Sequence, residues 1–321
     1  MSLPAALKQR LTLPLIAAPM FLVSGPALVI AACRAGVIGS FPTANCRTIA
    51  ELDAWLTEIK AKTDGGAPFC PNLIVHRSNP RLADDLAAVL RARPEMVITS
   101  VGSPEPVMKP LKDAGCLVLA DVASVRHAEK AVAAGVDGLV LLTAGAGGQT
   151  GWVNPFAFAR AVRRFWDGIV VMAGGMADGQ AIAAAELLGC DLAYMGTKFI
   201  ATRESLAKPA YKQMLVDSRL DDVKLTRAFT GLETNMLRPS IAAAGLDPDN
   251  LPERGAIDIS KDINAAERDR PDARRWKDIW SAGHSVSGVA DIPSVAELVE
   301  RTAAEYAAAC KNPTVARSSR A

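Results

Sequence analysis

Two consecutive stretches, VVMAGGMADG at 170–179 and GCDLAYMGTKFIATRES at 189–205, decide the fold. Each contains a short apolar run, typical of a parallel strand that is buried on both faces, and each run stops at a glycine. The residues at the two stops are Gly174, Gly175, Gly196 and Thr197. Glycine lets the backbone approach a ligand, and free N–H groups at a helix start suit an anion. One such loop alone would be an ordinary strand-to-helix turn, but two in tandem predict a phosphate site late in a (β/α)8 barrel.

The same alternation of apolar runs and helical stretches fills the chain before these two units. The predicted strands lie at 15–18, 37–39, 69–75, 96–99, 116–120, 136–142, 169–172 and 192–195. Helical spacing of apolar residues is clearest at Ile49, Leu52, Leu56 and Ile59. Eight strands that are each followed by a helix predict an α/β protein with a TIM-barrel fold.

The strand-helix rhythm stops after residue 205. The patterns that follow predict helices at 206–215, 226–238, 241–244 and 295–309. We therefore expect a helical insertion after the eighth strand, at 206–278, with Trp276 near its far end. This insertion should cover the carboxyl-terminal end of the barrel as a lid and form one wall of the substrate pocket. The barrel itself is expected to comprise 1–205 plus 279–321.

Composition restricts the class of protein. The 321 residues are 50% hydrophobic, which allows a large core, and the net charge is +2. We expect no nucleic-acid partner, because no basic stripe with interleaved aromatic residues is present. No apolar run is long enough to span a membrane, and the first residues lack the apolar core of a signal peptide. These features predict a soluble, cytoplasmic protein.

The cysteines and histidines do not form a metal-binding pattern. The six cysteines are Cys33, Cys46, Cys70, Cys116, Cys190 and Cys310, with no CxxC pair among them. Reduced thiols packed in the core are the favoured interpretation. The three histidines, His76, His127 and His284, lack the spacing of a zinc-binding motif. We therefore expect no metal site.

A barrel of this kind places its active site where the carboxyl ends of the strands meet. The residues predicted there are Ala18, Pro19, Met20, Asn72, Ser100, Asp121, the glycine-rich loop 143–151, Gly174, Gly175, Gly196 and Thr197. Asp121 is the only carboxylate in this set, and no Ser-His-Asp or Cys-His pair is visible. A phosphate cradle with few titratable groups indicates that a cofactor carries the reaction.

The motifs at these strand ends resemble those of the nitronate monooxygenase family, formerly called 2-nitropropane dioxygenase. The similar segments are LPLIAAPM (13–20), SVRHAEKAVAAGVD (124–137), AGGQTG (146–151), GGMADG (174–179), GCDLAYMGTKFIATRES (189–205) and WSAGH (280–284). The family includes NAD(P)H:quinone reductases and flavin-dependent enoyl-thioester reductases. The resemblance implies a TIM barrel, one non-covalent FMN and a helical lid after the eighth strand.

The resemblance also implies roles for particular residues. The cofactor-binding set would be Pro19, Met20, Asn72, Asp121, Gly147, Gly148, Gly174, Gly175, Gly196, Thr197, Ser281 and Gly283. The two glycine loops and the Thr197 hydroxyl would hold the FMN phosphate, and Pro19 and Met20 would lie along the isoalloxazine ring. Asn72 would hydrogen-bond the polar ring edge or the ribityl chain, although a polar residue that satisfies barrel-end backbone is an equal alternative.

The chain departs from the family pattern in the loop after the sixth strand. The family usually has Glu-Ala-Gly-Gly-His there, whereas this chain has Gly145 and Gln149 at the Glu and His positions. The family His is the proposed catalytic base or acid, and Gln cannot exchange a proton near neutral pH. Asp121 stands where close relatives often carry Lys. His284, which replaces a frequent Gln, is the candidate to supply the missing proton-handling group, with a surface histidine as the alternative.

Three functions remain open from the sequence. The first is FMN-dependent oxidation of alkyl nitronates with O2. The second is NAD(P)H-dependent reduction of quinones, activated alkenes or enoyl thioesters, which needs positioning more than a base. The third is a barrel that binds a phosphate ligand without redox chemistry. The sequence does not determine the oligomeric state, and a homodimer is one candidate.

Overall fold

A closed barrel of eight parallel strands forms the centre of the computed structural model, which describes residues 3–252 and 278–311. The barrel strands are β1 (Leu15–Ala17), β2 (Ile38–Pro42), β3 (Phe69–Ile74), β4 (Met96–Ser100), β5 (Leu117–Val122), β6 (Gly138–Leu142), β8 (Ile169–Ala173) and β9 (Leu192–Met195); β7 (Gly148–Gln149) lies outside the barrel. The barrel closes where β1 pairs with β9, with Ile16 opposite Tyr194. The predicted TIM barrel is confirmed.

Helices follow the barrel strands, and five of the helices among the described residues begin at a residue whose side chain caps the first turn. The helices are α1 (Ala5–Lys8), α2 (Pro26–Arg34), α3 (Ile49–Thr63), α4 (Leu82–Ala92), α5 (Glu105–Asp113), α6 (Val125–Ala133), α7 (Pro155–Val162), α8 (Gly179–Leu187), α9 (Thr197–Ile200), α10 (Pro209–Asp217), α11 (Arg238–Ala243) and α12 (Val295–Cys310). Ser124 caps α6, because its hydroxyl accepts a hydrogen bond from the His127 N–H. Ser294 and Glu297 form a capping box at the start of α12.

Two apolar layers hold the barrel together. Alternate strand residues point inward and pack as one cluster, which includes Ile16, Ile98 and Val171. The intervening residues point outward and pack against the helices. Leu3 and Leu7, from the amino-terminal segment and α1, join the inner cluster. The interior of the barrel is therefore filled with apolar side chains. The functional site is expected at the carboxyl ends of the strands.

The chain after the barrel differs from the sequence prediction. Residues 226–238 were predicted to be helical, and this is wrong: β10 (Val223–Thr226) and β11 (Thr234–Leu237) pair as antiparallel strands. Pro239 lies in the first turn of α11, where its missing N–H needs no partner, so it marks the start of a helix and not the continuation of one over 226–238. β11 also pairs with β7 on its other edge, a long-range contact that local periodicity does not reveal.

The pairing of β11 with β7 places the two strands β10 and β11 on the carboxyl-terminal side of the barrel. β7 belongs to the loop that leaves β6 at its carboxyl end, so the strands of the insertion lie over that loop. Helix α10 overlaps the helix predicted at 206–215. The predicted position of Trp276 and the far boundary of the insertion at 278 fall on or beside 253–277, which lie outside the described residues.

Candidate active site

A cavity of about 210 Å³ opens at the carboxyl ends of the barrel strands. Nearly all the residues that the sequence placed in the site contribute to its wall. These are Pro19, Met20, Asn72, Asp121, Gly147, Gly148, Gln149, Gly174, Gly175, Gly196, Thr197 and Ser281. Gly283 and His284 do not line it. The structure thus brings the two glycine loops, the strand-end polar residues and the glycine-rich loop to one place.

The first glycine loop combines one packed glycine with one open glycine. A Cβ on Gly174 would lie 2.4 Å from Thr143 Oγ1, so no larger residue fits between this loop and the loop after β6. A Cβ on Gly175 would meet no atom within 4 Å, and this residue lines the cavity. Both glycines have positive φ angles, 111° and 73°. Gly174 therefore sets the loop packing, and Gly175 exposes backbone to a ligand.

The second loop contributes the Thr197 hydroxyl. Its oxygen accepts a hydrogen bond from the Gly283 N–H at 2.9 Å. A hydroxyl that accepts one bond keeps its own proton for donation, which suits an anionic ligand. Gly283 thus acts on the cavity through Thr197, without lining it. A Cβ on Gly283 would lie 2.5 Å from the Gly145 carbonyl, so glycine is needed for this close approach.

The glycine-rich loop that carries Gln149 is fixed from two sides. Within the loop, the Thr150 hydroxyl donates to the Thr143 carbonyl at 2.8 Å. From the insertion, the Asn235 amide donates to the Ala146 carbonyl at 2.8 Å, and Thr234 of β11 pairs with Gln149. Gln149 is half-buried and lines the cavity. The long-range pairing with β11 therefore positions the residue that replaces the family histidine.

The floor of the cavity is polar. The Ser100 hydroxyl donates to Asn72 Oδ1 at 3.2 Å, while Asn72 Nδ2 has no partner among the described residues. Asp121 lies inside β5 rather than at its end, and its Oδ1 is likewise buried without a partner in the described chain. Burial raises the pKa of the Asp121 carboxyl to about 8. This carboxyl therefore keeps its proton at neutral pH.

Tyr194 is a cavity residue that sequence reasoning missed. It lies in β9 and its side chain points inward, toward the cavity and the inner cluster. Burial, and then the nearby Asp121 carboxylate, raise the pKa of its phenol well above the ordinary value. The alternation of inward residues along 192–195 was the available signal, because Tyr194 stands two residues before Gly196.

Ionisable groups are scarce in the cavity wall. Among the described residues that line it, none is lysine, arginine or histidine. Asp121, Tyr194 and Tyr211 are the titratable side chains there, and burial raises the pKa of Tyr211 to about 12. At neutral pH all three are uncharged, so this wall presents hydrogen-bonding groups and apolar surface instead of charge.

Aromatic and apolar residues close the sides. The rings of Tyr211 and Trp280 stack with centroids 5.0 Å apart, and the Tyr211 hydroxyl donates to the Ser281 carbonyl at 2.5 Å. Tyr211 comes from the insertion, so the described part of that segment supplies some of the wall. On another side Val101 has a φ of 57°, an unfavourable angle for a β-branched residue. Such strain is typical of functional sites.

His284 lies away from the cavity, which differs from its predicted role. The residue begins a short 3₁₀ helix, is exposed, and donates its backbone N–H to the Gly145 carbonyl at 2.9 Å. Partial burial lowers the pKa of its imidazole. The structure therefore gives His284 no contact with the cavity through which it could exchange a proton with a ligand.

The described residues offer no second site of metal or membrane type. Of the six cysteines, five are buried and Cys310 is exposed, and all are free. No cluster of metal-ligating side chains occurs within 3–252 and 278–311. In the same residues, the helices are too short or too polar to cross a bilayer.

Comparisons with known proteins identify the family of this chain. The family model for nitronate monooxygenase matches residues 78–305. A nitronate monooxygenase from Paraburkholderia phytofirmans is 31% identical over 79% of this chain and 82% of its own length. A Rhodococcus jostii (3aS,4S,5R,7aS)-5-hydroxy-7a-methyl-1-oxo-octahydro-1H-indene-4-carboxyl-CoA dehydrogenase is 27% identical over 87% of this chain and 76% of its own. The solved nitroalkane oxidase from Streptomyces ansochromogenes is 27% identical, with a TM-score of 0.75 over 95% of this chain and 99% of its own.

The barrel, the glycine cradle and the scarcity of charged catalytic groups define an enzyme that works through a bound cofactor. The protein is a flavin-dependent oxidoreductase. The chain belongs to the nitronate monooxygenase family.

Proposed function

We propose that the cavity binds FMN and that the protein oxidises alkyl nitronates with O2. One observation carries this proposal: the cavity joins an open glycine cradle to a polar floor, yet has no general base in its described wall. A nitronate is already deprotonated, so its oxidation does not need the base that a neutral nitroalkane requires. FMN held in this cavity would supply the redox chemistry, with the nitronate as electron donor and O2 as electron acceptor.

The residues that would hold FMN fit its chemistry. The backbone at Gly175 and Gly196 and the Thr197 hydroxyl would contact the phosphate, because they combine close backbone approach with hydrogen-bond donation. Pro19 and Met20 would lie along the flavin ring, and their loop is fixed by the Asn45 amide, which donates to the Met20 carbonyl at 3.1 Å. The unpartnered polar atoms at the floor match the polar ring edge.

Gln149 would orient the substrate without exchanging a proton. Its amide can both donate and accept a hydrogen bond, and the pairing with β11 holds it beside the cavity. The remaining assigned residues, Gly147, Gly148, Gly174, Ser281 and Gly283, would shape the pocket through backbone rather than side-chain chemistry. The lid, 206–278, would supply the wall opposite the barrel through Tyr211 and Thr230.

A second candidate function is reduction of a neutral quinone, activated alkene or enoyl thioester with electrons from NAD(P)H. The uncharged cavity wall supports it, because an anionic nitronate would meet no cation among the described lining residues. The similarity to a dehydrogenase named for a carboxyl-CoA substrate supports it further. A cytoplasmic location and a homodimer remain predictions from the sequence.

Two measurements on the purified protein test the first proposal. The cofactor released by mild denaturation is identified by mass, and O2 consumption is followed with an alkyl nitronate and with its neutral nitroalkane. We expect a yellow protein that releases FMN and consumes O2 faster with the nitronate. A colourless protein would support the phosphate-binding barrel instead, and release of a different flavin would contradict the FMN assignment.

A further inference from the structure

Two residues that line the same cavity each carry a buried polar atom without a hydrogen-bond partner among the described residues. Asn72 Nδ2 and Asp121 Oδ1 are two of the three buried side-chain polar atoms without a hydrogen-bond partner in the described chain. Both residues line the cavity floor. A buried polar atom without a hydrogen-bond partner is costly in free energy. Because both residues line the same cavity, a ligand bound there could supply the missing hydrogen-bond partners of both atoms.

The orientation of Asn72 makes its free atom a donor. Its Oδ1 accepts a hydrogen bond from the Ser100 hydroxyl at 3.2 Å, which leaves Nδ2 as the atom without a partner among the described residues. An amide nitrogen donates and does not accept. The ligand atom that satisfies Asn72 must therefore be an acceptor, such as a carbonyl oxygen or a ring nitrogen.

The surroundings of Asp121 favour its neutral form. The titratable groups that face it are Tyr194 on β9 and Cys70 on β3, and both would become anionic on losing a proton. No lysine, arginine or histidine contributes to the described cavity wall. With no cation to stabilise a carboxylate, Asp121, whose Oδ1 is buried, retains its proton. In that form it can donate a hydrogen bond.

We propose that Asp121 works as a neutral carboxylic acid, and that together with Asn72 it presents two hydrogen-bond donors to the acceptor-rich ring edge of FMN. An ionised carboxylate at the same place would face carbonyl oxygens without a proton to share and would repel them. The inference rests on the proposed FMN binding and adds a required protonation state. FMN should therefore bind more weakly as Asp121 loses its proton.

The test measures the dissociation constant of FMN for the apo-protein, from FMN fluorescence, between about pH 6 and about pH 10. The variants are Asp121→Asn, which is isosteric and permanently neutral, and Asn72→Ala, which retains the titrating group. At each pH, the dissociation constant of the wild type or of Asn72→Ala is divided by that of Asp121→Asn. Protonation changes of FMN itself affect all the proteins equally, so they cancel in this ratio. A thermal unfolding curve for each variant establishes that it is folded.

We expect the ratio of the wild-type dissociation constant to that of Asp121→Asn to rise with pH. Above about pH 8 the rise should approach tenfold per pH unit. Asn72→Ala should weaken binding at every pH and keep the wild-type slope. A ratio that stays constant across the range would overturn the proposal while leaving FMN binding intact. If none of the proteins bound FMN at any pH, the cofactor assignment itself would fail, and this inference with it.

Discussion

The imidazole of His284 occupies the space that a side chain at position 145 would need. A Cβ on Gly145 would lie 2.7 Å from His284 Nδ1, and the His284 N–H donates to the Gly145 carbonyl at 2.9 Å. The family pattern has Glu and often Gln at these two positions. The two departures are therefore in contact, and the histidine fills the volume left by the missing side chain.

Gly145→Ala should destabilise the protein, and His284→Ala should relieve part of that effect. The alanine would suffer both the clash with the imidazole and the φ of 98°, and only the clash disappears with the ring. Denaturant unfolding of both single variants and the double variant measures the coupling, which we expect at about 0.5–3 kcal/mol. If the unfolding free-energy changes of the two single variants added up to that of the double variant, the contact between positions 145 and 284 would make no contribution to stability.

Gln149→His should raise the oxidation of neutral nitroalkanes selectively. General acid-base help is worth about 10²–10⁴ in rate, and the Gln149 amide cannot supply it. The gain should follow a titration near the ordinary histidine pKa of about 6.5. Gln149→Ala is the control, because it should impair positioning without adding a titrating group. Rates are measured across pH with nitronate and nitroalkane in parallel.

The position of His284 makes a companion prediction for the wild-type protein. His284→Ala should leave the pH profile of turnover unchanged, since the imidazole does not line the cavity. Efficient oxidation of neutral nitroalkanes with a titration that His284→Ala abolishes would return the proton-handling role to this residue. The same efficient activity, unchanged in both His284→Ala and Gln149→Ala, would contradict our assignment of the site.

Gly175→Asp should abolish FMN binding and leave the fold intact. The position has open space for a side chain, which would bring a negative charge into the cradle for the phosphate. Gly175→Asn is the matched control: it has nearly the same shape, is neutral, and tolerates the φ of 73° about as well. Flavin content and thermal unfolding are measured for both. A full flavin complement in Gly175→Asp would place the phosphate elsewhere.

Asp121→Asn should stabilise the apo-protein increasingly as pH rises. The native carboxyl has a pKa of about 8, above the ordinary value of 3.8 that applies in the unfolded chain. Between these values the unfolded chain loses a proton that the native state retains, so wild-type stability falls with rising pH and levels off above about pH 8. Melting temperatures of both proteins from about pH 5 to about pH 9 check this. If the two melting temperatures differed by the same amount at every pH, Asp121 would not be a neutral acid in the native state.

The barrel and most of the site could be predicted because they depend on local pattern. Apolar runs that stop at Gly174 and Gly196 report buried strands and close backbone approach, and both features persist in the folded protein. Parallel strands also bring their carboxyl ends together, so that Asn72 and Asp121 had to meet the glycine loops.

The errors lie where distant segments decide the structure. β11 is a strand because it pairs with β7 and β10, and the local spacing of 226–238 cannot express those contacts. His284 was assigned from the family resemblance, because it replaces a frequent Gln, but its ring lies in the open volume beside Gly145 and does not line the cavity. The charge state of Asp121 likewise follows from burial, which only the fold reveals.

Anaerobic stopped-flow reduction of the bound flavin tests the central claim most directly. The holoenzyme is mixed with an alkyl nitronate, and in separate runs with NADH and NADPH, while the loss of flavin absorbance is recorded. We predict rapid bleaching by the nitronate, and slow or no bleaching by either nicotinamide nucleotide. Rapid bleaching by NADH or NADPH, with none by the nitronate, would contradict nitronate oxidation and establish the reductase instead.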